Sequence, residues 1–167
     1  MGSASSVRKH LFDKTHDVWQ KRKTSSSDVK LNKHLKEVYD CLHATENFPL
    51  AKKVERQKKE GERLVCSGSL VVLCERLIAL LKKEEQDDQD GGTVDSGNGE
   101  ALKHVLWSVA IAAENCHQVC QAVLHNPDLL TTLASRLEAM VQLFERSDSK
   151  QLKVSRHWYR NDIHGNA

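Results

Sequence analysis

The chain has 167 residues, 39% of them hydrophobic and 29% charged, with a formal net charge of +2. A chain of that length makes one ordinary domain or a short helical array, and a charge so near neutral, with a pI near 8.3, speaks against a nucleic-acid partner. Five cysteines leave an odd one over, and no run approaches the roughly 20 apolar residues of a bilayer span or has the pattern of a secretory signal, so reduced thiols and a cytoplasmic location are expected.

Only Pro49 and Pro127 interrupt the chain, and Leu, Ala, Glu, Lys and Gln fill the long segments. These residues lose least on entering a helix, and strand-like alternation is nowhere sustained. The expected fold class is all-α. Charge is placed unevenly: residues 1 to 40 hold nine Lys or Arg against five Asp or Glu, while residues 84 to 100 hold seven acids and no base.

The start Met1-Gly2-Ser3-Ala4-Ser5-Ser6 fits the N-myristoylation pattern, with Gly2 as the acylated residue; the plainer reading is an ordinary start or a cloning remnant. Residues 7 to 23 place Val7, Leu11 and Val18 on one helical stripe, with Phe12 and Trp19 beside it. Arg8, Lys9, Lys14, Lys21, Arg22 and Lys23 surround that stripe, which makes a basic amphipathic helix. These cations are expected to meet an anionic membrane surface, and Trp19 to meet that membrane or another helix. A single myristoyl chain binds with K of only about 10⁴ M⁻¹, and each cation near the surface adds about 1 kcal/mol. Phosphorylation of Ser25, Ser26 or Ser27 would oppose that attraction, although a solvated linker is the simpler account of the serines.

Asp28 is placed to cap the next helix, in which Leu31, Leu35, Val38, Tyr39 and Leu42 recur at spacings of three and four up to about Thr45. A charged helix follows from about Leu50 to Cys66, with Gly61 weakening its continuity. Ser67 and Gly68 stop it. Ser69 opens a helix apolar nearly all round, with Leu70, Leu73, Leu77, Leu80 and Leu81, the expected central core element. Glu84 to Gly99 is acidic and Gly-rich and reads as a flexible loop. Leu102, Val105, Leu106, Val109 and Ala113 mark a fifth helix, with Trp107 expected in the core or packing between repeats, and Val119, Cys120, Val123 and Leu124 mark a sixth. The seventh carries Leu130, Leu133, Leu137, Met140, Val141 and Phe144 and starts at Pro127 behind an Asn126 cap. The expected division is a basic N-terminal segment 1–28, a helical domain 29–148 with its loop at 84–99, and a tail 149–167.

Two stretches are alike: Leu64-Val-Cys-Ser-Gly-Ser-Leu-Val-Val-Leu73 and Ala122-Val-Leu-His-Asn-Pro-Asp-Leu-Leu-Thr131. Each joins a helix to a leucine-rich one through a small-residue break. With the phrase Ala101-Leu-Lys-His-Val-Leu-Trp-Ser-Val-Ala-Ile-Ala-Ala-Glu-Asn115, this resembles the armadillo repeat, whose units run helix, helix, break, long helix. The resemblance covers residues 64 to 144 and amounts to about two repeats with a partial third. It implies a stacked array with a concave surface for a protein or peptide partner, and it suggests Asn115 as the counterpart of the asparagines that line that surface in many members.

Cys116-His117-x-x-Cys120 sets two thiols one helical turn apart but lacks the paired spacing of a structural zinc site, so buried structural cysteines are expected. None of the nine histidines accompanies a nucleophile motif, and there is neither a phosphate-cradling Gly-x-x-x-x-Gly-Lys loop nor a His-Glu-x-x-His pair. The expectation is a non-enzymatic interaction scaffold with no cofactor, no metal and no small-molecule substrate, held to a membrane through Gly2. The alternative is a regulatory armadillo-like part of a larger enzyme, such as a ubiquitin ligase or a TIR-type protein.

Overall fold

A computed structural model describes residues 4–23, 28–89, 96–142, 144 and 145, and among these the chain is helical with no strand. Six helices are α1 (Ala4–Lys23), α2 (Val29–His43), α3 (Leu50–Cys66), α4 (Ser69–Gln89), α5 (Ser96–Glu114) and α6 (His117–Leu124), with a 3-10 turn at Ala44–Asn47 after α2. A further helix, α7, covers residues 127–142. The chain divides into two units, Met1–Thr132 and Leu133–Ala167.

The breaks between helices are local in origin. Gly68 has φ of +73°, the left-handed conformation that ends many helices and that glycine adopts without a Cβ penalty. Its N–H reaches the Val65 carbonyl at 3.1 Å, and α3 and α4 diverge there by 84°. Asn126 caps α7 as expected, its side-chain oxygen accepting the Leu129 N–H at 3.0 Å. Asp28 stands at the cap position of α2, but its carboxylate takes a different partner: Arg76 of α4 donates to it at 2.9 Å, with Asn32 a second acceptor at 3.1 Å. Arg76 is 97% removed from solvent and lies between these groups, so pairing a buried cation outweighs the cap bond.

The interior of the first unit is assembled from one stripe of each helix. Leu31, Leu35, Val38 and Leu42 of α2 meet Leu73, Leu77 and Leu80 of α4 and Val105, Val109 and Ala112 of α5 in the buried set. Helix α5 packs on α2 and on α4, and α6 packs on α3 and α5. As expected, α4 is the most deeply buried element, with Leu70, Val72, Leu73, Cys74, Leu77, Leu80 and Leu81 all inside. Helix α3 is continuous through Gly61, because the bare backbone there lies against Cys116; a Cβ would come within 2.5 Å of the Cys116 Cβ.

Two expectations are corrected. The segment 84–99 is not a loop throughout: α4 continues to Gln89 and α5 already begins at Ser96, with residues 90–95 outside the described ones. An existing helix lengthens without a new nucleation cost, and Glu84, Glu85 and Gln86 are good helix formers, so burial is not needed to extend it. The N-terminal segment, set apart in the sequence by its charge, belongs to the first unit. Helix α1 packs against α2, α3 and α4, burying Phe12 and Thr15, and Ser69 at the start of α4 donates to the Phe12 carbonyl at 2.6 Å.

Candidate functional site: a groove between α2 and α5

Helices α2 and α5 touch along their buried stripes and diverge above them, and a groove of about 580 Å³ opens between them and the start of α3. Residues one helical turn apart share a face, so Lys103, Trp107, Ala110 and Glu114 form its α5 wall, with Ile111 beneath. Tyr39 and His43 form the α2 wall, and Glu46 and Lys53 close one end. The size is that of a small-ligand or short-peptide site. Tyr39 is held by rings on both sides, its centroid 5.2 Å from that of His43 and 5.0 Å from that of His104 on α5.

The closed end is a polar network. Lys53 donates to Glu46 at 2.8 Å and to Glu114 at 3.2 Å, and these two carboxylates, Glu46 first, hold the ammonium above the usual lysine range. Gln57, fully buried on α3, donates its amide to Glu46 and, at 3.3 Å, to Glu114. Its own oxygen accepts from Asn115. Two carboxylates therefore share one ammonium, and a single negative charge is left at this end. Lys103 supplies a positive charge on the same wall.

The sequence-derived site residues fall in three places. Gly2 lies outside the described residues. Arg8, Lys9, Arg22 and Lys23 fall on α1, their side chains outside the described ones, and Lys14 and Lys21 are exposed. Trp19, expected against a membrane or another helix, is only 6% exposed, on a helix that packs against α2, α3 and α4, so it does not face a membrane. Asn115 is not among the residues that line the groove; it is half-buried, and its amide donates to Gln57 behind the closed end, tying the end of α5 to α3.

Trp107 is the residue that sequence periodicity misplaced. It is 53% exposed and lines the groove. The signal was its place one step outside the Leu102, Val105, Val109 stripe, which allows either outcome until the neighbouring helix is known.

The cysteines are structural in their surroundings. Cys116 and Cys74 are buried; burial pushes the Cys74 thiol up to about 11, with Glu75 adding to it, and Cys120 donates to the Ala113 carbonyl at 3.0 Å. Among the described residues no three His, Cys, Asp or Glu side chains converge as metal ligands, and no single helix is long and apolar enough to cross a membrane. No family model, curated protein or solved structure matches the chain.

Proposed function

We propose that this chain is a non-enzymatic protein-interaction scaffold of armadillo-like stacked helices, and that the α2–α5 groove holds a segment of its partner around Trp107. The observation that carries the reading is the half-exposed indole, a large apolar side chain standing over an apolar wall and beside charged groups. Tryptophan is among the residues most often dominating binding energy at interfaces. Covering the remaining half of its surface, about 100 Å², would contribute about 2.5 kcal/mol.

The order of elements supports the armadillo-like part. Helix α2, α3, the Ser67-Gly68 break and α4 follow the pattern of one unit, and α5, α6, the Asn126-Pro127 break and α7 follow it again. Equivalent elements lie on one another, α5 on α2 and α6 on α3, as nearest-neighbour stacking requires. Helix α1 then acts as a cap on the first unit. Membrane attachment through Gly2 is compatible with the exposed Lys14 and Lys21 and does not need Trp19. A second reading, a regulatory array within a larger enzyme, is favoured by one feature: Leu137, Met140, Val141 and Phe144 are each more than half exposed, a stripe that a further repeat would cover.

The test is selection of peptides from a random library on the whole chain, followed by titration against the wild type and Trp107→Ala. Binding of the selected peptides should weaken tenfold or more in the variant, while its unfolding free energy stays within about 0.5 kcal/mol of the wild type, as for other exposed positions. Selected peptides that bind both proteins equally would remove the groove from the account.

A further inference from the structure

We propose that the partner segment is a short extended peptide with an acidic and a basic side chain four residues apart and an apolar side chain midway between them. This rests on reading the groove as a binding surface and specifies what fits it. Lys103, Trp107 and Glu114 line one wall in that order, and at 1.5 Å per residue the wall from Lys103 to Glu114 is about 16 Å long. A helix is about 10 Å across. An extended chain is slimmer and rises about 3.3 Å per residue, with alternate side chains on one face.

Three alternate positions of such a chain match the wall. A side chain opposite Lys103 and one two residues on are about 6.6 Å apart, close to the 6 Å that separates Lys103 from Trp107 along α5. The next position on that face falls about 13 Å along, and a long Lys or Arg stem there spans the remaining distance to Glu114. The charges at the two ends of the groove are opposite. Lys103 is exposed and calls for a carboxylate. Glu46 and Glu114 share one cation, Lys53, besides the neutral Gln57 amide, and Glu114 is half exposed with lone pairs left for a further donor. A peptide negative at one end and positive at the other is complementary, and one with two like charges meets repulsion at one end.

The experiment uses the full chain and three labelled pentapeptides, Glu-Ala-Leu-Ala-Arg, Lys-Ala-Leu-Ala-Arg and Glu-Ala-Leu-Ala-Glu, capped at both ends and followed by fluorescence anisotropy at low salt. The wild type should bind the first about fivefold or more tighter than either other, the scale of paired charges at a rim. Lys103→Glu, a change at an exposed position, should move the preference to the peptide with two cations. Equal binding of all three, or an unchanged preference in Lys103→Glu, overturns the charge assignment; if that binding is still lost in Trp107→Ala, the groove itself stands. Binding of all three that is indifferent to both substitutions overturns the groove reading as well.

Discussion

Gly61 shows how closely one residue is specified by the fold. A methyl group there would meet the Cβ of Cys116 at 2.5 Å and the Ala112 carbonyl at 3.2 Å, atoms fixed by the backbone of α5 and of the α5–α6 junction. Gly61→Ala gains helix propensity of up to about 1 kcal/mol, but overpacking costs about 1 to 3 kcal/mol. The net result should be a lower urea midpoint. Cys116→Ala keeps the Cβ and should not restore it, whereas Cys116→Gly should do so in part. The cysteines differ in the same local way. Cys66 is exposed and should react with a thiol reagent at once, while Cys74, buried with its thiol pushed up to about 11, should react only as the protein unfolds. None of this is written in the sequence around Gly61, which resembles an ordinary weak point in a helix; Cys116 lies 55 residues away.

At the scale of helices, the placement of α1 depends on His34. This imidazole on α2 is buried, and its Nε2 lies 2.9 Å from the Thr15 hydroxyl on α1. That hydroxyl donates to the Leu11 carbonyl at 3.3 Å, so Nε2 is the donor to Thr15. Burial holds the His34 pKa below the ordinary 6.5, with Lys14 acting in the same direction and Glu37 and the Leu11 carbonyl opposing it. The folded state therefore binds its proton less readily than the unfolded chain. The contribution of neutral His34 is fully present above pH 6.5 and declines as pH falls from there through the lowered folded value. The protection of the α1 amides against hydrogen exchange, taken relative to the intrinsic rate at each pH, should fall between pH 7 and pH 5, and His34→Gln, which keeps a donor but no titratable group, should flatten that change. An unaltered pH profile in the variant would assign the loosening to other groups. The helices themselves were legible beforehand: stripes such as Leu31, Leu35, Val38 and Leu42, the Gly68 stop and the Asn126-Pro127 start are local signals. What escaped was the length of α4, since the acids at 84 and 85 signal solvation as strongly as helix.

For the whole molecule, the proposed membrane attachment and the proposed binding at the groove rest on different residues. Gly2→Ala expressed in cells should remove a myristoyl mass increment and membrane pelleting together, and it should leave peptide binding at Trp107 unchanged, since the groove is built from α2, α3 and α5. An unmodified, non-pelleting wild type would confine the function to the groove. The all-helical class and the breaks at Ser67-Gly68 and Asn126-Pro127 follow from residues within a few positions of each other, because helix propensity, capping and glycine stops act over one or two turns. The roles of Trp19 and Trp107 do not. Each stands at the edge of an apolar stripe, and periodicity marks an edge position without saying whether a neighbour covers it. Trp19 is buried on a helix that packs on α2 and α4, whereas Trp107 on α5 lines the groove and stays half open. That choice is made by contacts between residues far apart in the chain, so only the tertiary structure decides which of the two indoles stands open.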